Sequence, residues 1–282
     1  MSAVGVVITS NLFAYILPTI AKNKAKKKCC SEIICIIIFR VEIVKHYSCF
    51  DICHSDWKDI LVQAMGTMNK DYLHQLMSEP NWLPGAERLF AAFSLPLAKT
   101  EYILLGESPY PRPASANGYA FWDNAVEGLW SLKGLSTAVN RATSLRNWIK
   151  MMLVARGNLD ATNTSQEAIA KLNKQTLVQT CEQLFLGMME RGILLLNASL
   201  VYSEGMVPYH ARQWKPFMHS LFAQLALVKS NVKLILLGKI AETISQDKLA
   251  VGLVAEHPYN ISFITNQKVI EFFKPLDLLS YE

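Results

Sequence analysis

Four short segments carry side chains able to do chemistry together. Gly106-Glu107-Ser108-Pro109-Tyr110-Pro111 brings a carboxylate, a hydroxyl and a phenol, and Gly118-Tyr119-Ala120-Phe121 brings an aromatic ring after a glycine. Asn197-Ala198-Ser199 brings a carboxamide, and Glu256-His257-Pro258-Tyr259-Asn260-Ile261-Ser262 brings an imidazole and an apolar side chain. A carboxylate such as Glu107 can hold or deprotonate a water molecule. Asn197 offers one donor and one acceptor in a plane. His257 can donate to negative charge developing on a leaving group, and one such donor in a water-poor pocket is worth on the order of 10² to 10³ in rate. Phe121 offers a flat face on which a planar ring can stack. Taken singly, each residue also has an ordinary structural role: Phe121 in a core, Asn197 capping a turn, Tyr110 packing a loop, His257 buttressing a Pro-containing bend.

What unites them is the placement of three segments after apolar runs. Short β-rich runs alternate with segments of helical period from residue 100 onward, the pattern of a parallel sheet covered by helices on both faces. The strands are expected at 102–105, 193–196, 233–237 and 252–255, and the helices at about 144–155, 166–190, 214–227, 239–246 and 266–273. The expected fold is therefore α/β, a three-layer α/β/α arrangement around a central four-stranded parallel sheet. Ligands of open parallel sheets sit beyond the carboxyl ends of the strands. Glu107, Asn197, the Gly238-Lys239 pair and His257 all follow strand ends, so they are expected to face one pocket. No GxGxxG or GxxxxGK[ST] run follows any strand, which argues against a phosphate-cradling nucleotide-binding protein.

The order GESPYP, GYAF, LLLNASL, EHPYNIS resembles the uracil-DNA glycosylase superfamily, whose best-known branch reads GQDPYH, GLCF-like, LLLNA-L and HPSPLS. Lesser matches at Trp57, Leu83-Pro84-Gly85, Thr143-Ser144-Leu145 and His210 to Trp214 extend the resemblance over residues 57–279. It implies release of uracil from single- or double-stranded DNA, with no metal or organic cofactor. It also implies roles for individual residues. Phe121 would stack the extruded base. Asn197 would pair with the O4 and N3-H edge of uracil, Tyr110 would crowd the C5 edge and exclude thymine, and His257 would donate to O2. Ile261, with Tyr259 beside it, occupies the place of the wedge that fills the vacated stack. Ser144 at a helix N-terminus, Gly238 with Lys239, and Ser262 are the candidates for phosphate contact.

One departure bears on activity. Ser108 stands where the best-known branch has the water-positioning Asp, and a serine is no base at neutral pH. Another branch opens with GEAPG, so Glu107 is read as the residue that handles the water, with Ser108 orienting it. If Glu107 is instead a surface carboxylate, the chain is a catalytically impaired module that binds DNA or a partner. Pro111 replaces the family's His, as in poxvirus members, and Asn140-Arg141-Ala142-Thr143 replaces the proline run expected before Ser144.

Charge and cysteine set the first residues apart. Residues 1–54 hold seven of the 28 Lys and Arg against three of the 23 acidic groups, so the rest of the chain is near neutral. Any grip on DNA must then come from local patches and backbone donors. Five of the six cysteines also fall there, with only Cys181 beyond, as in a reduced intracellular protein. The domains are accordingly expected as an extension at 1–54 and a glycosylase-like domain at 55–282, acting as a monomer. Residues 3–20 are apolar and are followed by the lysines of 22–28. That is borderline for one membrane span, and the alternatives are a membrane anchor and an accessory or upstream tail. Cys49 and Cys53 near His46 and His54 lack a second ligand pair at zinc spacing and are read as ordinary thiols.

Overall fold

The computed structural model describes residues 48–79, 81–244 and 246–280. The expectations for residues 1–47, the membrane anchor among them, lie outside the described residues. Among the described residues no helix is long and apolar enough to cross a membrane. Cys49 and Cys53 are buried, and Phe50 packs on Phe90 with ring centroids 5.0 Å apart. The described unit thus takes in residues 48–54, part of the segment read as extension. Burial pushes the Cys49 thiol up to about 12, which leaves it a neutral packing group.

The strands are β1 (Tyr102–Gly106), β2 (Trp130–Ser131), β3 (Gly134–Leu135), β4 (Ile193–Asn197), β5 (Lys233–Leu237) and β6 (Ala250–Ala255). The helices are α1 (Lys58–Met65), α2 (Lys70–Ser78), α3 (Thr137–Arg141), α4 (Thr143–Ala155), α5 (Gln166–Ala170), α6 (Cys181–Glu190), α7 (Val207–Val228), α8 (Ile240–Thr243) and α9 (Gln267–Phe273). Four strands form one parallel sheet in the order β4-β1-β5-β6, flanked by helices. Ile103, Leu104 and Leu105 of β1 and Ile193, Leu194, Leu195 and Leu196 of β4 have no exposed surface. A strand covered on both faces needs apolar side chains at every position rather than at alternate ones, which is why these runs are continuous. Burial of each such leucine stabilises the fold by roughly 1.5–3 kcal/mol. β6 is an edge strand and is mostly exposed.

Large side chains fill the core, and several of their polar tips find partners there. Trp57 donates to the Leu95 carbonyl at 2.7 Å, and Trp214 donates to the Tyr72 hydroxyl at 2.9 Å, beside which His210 Nδ1 lies 2.8 Å away. A buried indole usually needs such a partner for its N–H, and Trp148, whose Nε1 is buried without one, is the exception among the described residues.

The four expected strands are present, each within two residues of its expected limits, but the helices differ more. The single helix expected over 166–190 is two, α5 and α6. Thr180 and Gln183 form a capping box that starts α6 afresh, since each side chain satisfies a backbone N–H of the other. The segment between them is tied elsewhere, with Trp130 Nε1 donating to the Val178 carbonyl at 2.7 Å. α7 starts seven residues before the expected 214, because Pro208 lies in its first turn, where a missing N–H costs nothing. The helix expected over 239–246 is only the short α8, ending where Ile244 turns extended. The β2–β3 hairpin has no counterpart among the expected elements.

Candidate functional site

Glu107 and Asn197 are brought together by strand register. Gly106 at the end of β1 lies opposite Asn197 at the end of β4. Pairing continues past both ends, with Ala198 N–H donating to the Gly106 carbonyl at 2.8 Å and Ser199 N–H to the Glu107 carbonyl at 3.0 Å. Position 106 must be glycine: a Cβ there would lie 2.5 Å from Asn197 Oδ1 and 3.0 Å from the Ala120 Cβ. Asn197 is only 2% exposed, yet among the described residues nothing hydrogen-bonds its carboxamide. The residue is buried as a whole but lines a cavity, so the amide is available to a molecule bound there.

Phe121 is held in the left-handed region, at φ 63°, which is costly for a residue with a Cβ. The Ala120 N–H donates to the Leu195 carbonyl at 3.0 Å and the Tyr110 hydroxyl to the Phe121 carbonyl at 3.2 Å, fixing the backbone on either side of the ring. The ring meets Trp148 edge-on at 5.3 Å and lies 5.9 Å from the His257 ring at 29°. Burial, reinforced by Asp123, pushes the Tyr110 phenol well above its usual range, so it stays protonated. Asp123 pairs with Arg112 at 3.1 Å and accepts from the Ala125 N–H at 3.0 Å, which braces this loop.

His257 follows β6. Burial lowers its pKa below the usual 6.5, with Glu107 pulling weakly the other way, so the ring is neutral at neutral pH. Its Nδ1 accepts from the Tyr259 N–H at 3.1 Å, which places the proton on Nε2. The ring is thus a neutral donor. Gly238, at φ 76°, permits its position, since a Cβ there would lie 2.8 Å from the His257 Cβ.

A cavity of about 280 Å³ is lined by Glu107, Ser108, Tyr110, Phe121, Ser144, Asn197 and His257. A second, of about 460 Å³, shares Glu107, Phe121 and His257 and adds Gly238, Lys239, Glu256 and Tyr259. Ile261 and Ser262 line neither. Ile261 is 79% exposed beside Tyr259 at 67%, and the Ser262 hydroxyl donates to the Glu256 carboxylate, which also accepts from Asn266 Nδ2 at 3.1 Å. Glu107 is exposed and makes no ion pair or hydrogen bond through its side chain among the described residues. No group of three or more His, Cys, Asp or Glu able to hold a metal occurs among the described residues.

One residue of the site was missed. Asn147 on α4 is 1% exposed, and its Nδ2 faces the carbonyls of Pro258, Tyr259 and Asn260 at 2.8, 3.2 and 3.3 Å. It clamps the loop that carries His257 to the helix that carries Ser144. The signal was in the sequence: an amide between Leu145 and Trp148-Ile149, on a face that helical period makes buried.

No family model matches the chain. Among curated proteins it is 26% identical over 166 residues to the uracil-DNA glycosylase of Nocardioides sp., covering 57% of this chain and 59% of that protein. It is 32% identical to that of Corynebacterium glutamicum over 24% of this chain and 26% of that protein, so the chain spans less than two thirds of either relative. With the uracil-DNA glycosylase of Lactiplantibacillus plantarum it shares 27% identity over 74% of this chain and 81% of the relative. The wild-type UNG of Nitratifractor salsuginis, a solved structure, is 42% identical with a TM-score of 0.79, over 83% of this chain and 96% of that one. A tyrosine-to-glycine variant of the same protein gives 40% and 0.80, over 87% and 100%. With this degree of identity across nearly the whole of a solved relative, and the same parallel sheet beneath the site, the chain belongs to the uracil-DNA glycosylase superfamily.

Proposed function

We propose that this protein hydrolyses the N-glycosidic bond of deoxyuridine in DNA, releasing uracil and leaving an abasic site for base excision repair. The observation that carries this reading is the pairing, in the lining of one cavity of about 280 Å³, of the carboxamide of Asn197, which no other side chain or backbone group occupies among the described residues, with the Nε2-H of a neutral His257. Asn197 donates to O4 and accepts from N3-H of uracil, an edge that cytosine presents in reverse. Phe121 stacks on the base, and Tyr110 crowds C5 against the thymine methyl group.

As the bond between C1′ and N1 breaks, its electron pair passes into the base and charge gathers on O2. The Nε2-H of His257 meets that charge as a donor fixed in place before the bond breaks. Water adds to the oxocarbenium-like C1′, and Glu107 takes the proton, with Ser108 orienting the attacking molecule. The free carboxylate of Glu107 at the cavity wall supports this assignment. Ile261, aided by Tyr259, fills the gap left in the stack, as an exposed apolar side chain can without polar partners. Ser144, Gly238, Lys239 and Ser262 contact the backbone. The chain acts as a monomer, inside the cell where DNA is. Residues 1–54 take no part in the chemistry.

The test is uracil release from single-stranded and duplex oligonucleotides by the purified full chain, followed by strand cleavage at the abasic site. Release from uracil but not thymine substrates is expected. Tight binding without release from either strand form would overturn the hydrolytic reading and leave a DNA-binding module.

A further inference from the structure

A third cavity, of about 350 Å³, opens on the other side of Glu107. Its walls include Ala198, next in the chain to Asn197, together with Met218, Ile240 and two cations, Arg212 and Lys215. Arg212 and Lys215 are three residues apart on α7, so they project from one face of the helix. Both are exposed, and neither makes an ion pair or hydrogen bond among the described residues. The near-neutral domain thus leaves two unneutralised positive charges at the rim of an apolar hollow bordering the base cavity. Glu107 is the residue common to all three hollows, which therefore adjoin one another at the strand ends.

We propose that this third hollow is a second DNA subsite, which receives a nucleotide flanking the lesion on one side only. The inference rests on the glycosylase reading for the identity of the strand. Arg212 and Lys215 hold the phosphates of that nucleotide, and Ala198, Met218 and Ile240 lie beneath it. No aromatic ring lines the hollow, so it holds backbone and does not discriminate between bases. Drawing the strand over this edge seats the sugar of the lesion against Glu107.

The experiment uses the full chain and a labelled single-stranded oligonucleotide with a central abasic analogue, so that no turnover occurs. Binding is followed by anisotropy over a salt series, with the double variant R212A/K215A and the charge-conserving R212K/K215R. Loss of two phosphate contacts is expected to flatten the log-log salt dependence by about 1.4 and to weaken binding about tenfold at low salt, whereas the conservative pair keeps both. Shortening the oligonucleotide from one end removes the difference between parent and double variant, and shortening it from the other does not. On uracil substrates the loss falls on KM rather than kcat. An unchanged salt dependence, or a difference that survives trimming from both ends, would overturn the proposal. If the parent binds with these properties but releases no uracil, the subsite stands and the glycosylase reading fails.

Discussion

The two sides of the cavity that Asn197 and His257 line are built differently. Asn197 stands at the end of a fully buried strand, locked by sheet register, by bonds that run past the strand ends and by a glycine that admits its carboxamide. His257 follows β6, an edge strand like β4 but mostly exposed, and its loop is tied down by polar clamps, Asn147 from α4 and Glu256 with Ser262 and Asn266. On the proposed reading, recognition of the base falls to the side whose ordering is met on folding, and the side that meets developing charge is held by polar contacts instead of sheet register.

The contrast can be broken from either side. The largest effect is expected at Glu107, the carboxylate proposed to take the proton of the water: Glu107→Gln should lower single-turnover uracil release by about 10² to 10⁴ without changing the melting temperature. An unaffected rate would assign the water to another group. His257→Ala should cost about 10² to 10³ in the same assay, and the loss should fall on the chemical step rather than on binding. Gly106→Ala acts on the Asn197 side by pressing a methyl group on its amide. A displacement of this kind is expected to cost on the order of 10² in rate. Asn147→Ala acts on the His257 side, stranding three carbonyls, and should reduce stability by about 1–3 kcal/mol in denaturant melts. Its effect on duplex substrates should exceed that on single strands, because the same loop carries Ile261.

The smallest expected effect is one of pH. Burial holds the pKa of both His210 and His257 below 6.5. The unfolded chain therefore takes up protons that the folded one does not, and stability is lost as pH falls from about 6.5 toward the lowered folded values, with no further loss from these groups below them. Melting temperatures across that window should fall less steeply in His210→Gln, and an identical slope would show that His210 does not contribute.

The sheet was legible in the sequence because strands buried on both faces need unbroken apolar runs, and Ile103-Leu104-Leu105 and Leu194-Leu195-Leu196 are such runs. The candidate residues were legible because each follows one of these runs or stands in a motif of the same order as the family's. The clamps were less so. The place of Asn147 on a buried helical face marked it as an amide in need of a partner, but that partner lies more than a hundred positions away and no local pattern says which it is. Helix limits went astray where a side chain overrode periodicity, as Thr180 does at the start of α6. The β2–β3 hairpin was missed because its strands are two residues each, too short for any alternation to register.

A crystal structure of the chain soaked with free uracil tests the common pocket most directly. The account predicts the ring stacked on Phe121, with the Asn197 carboxamide on O4 and N3 and His257 Nε2 on O2, each at about 3 Å. Uracil bound with Asn197 and His257 on different molecules of the ligand, or held away from both, would contradict it.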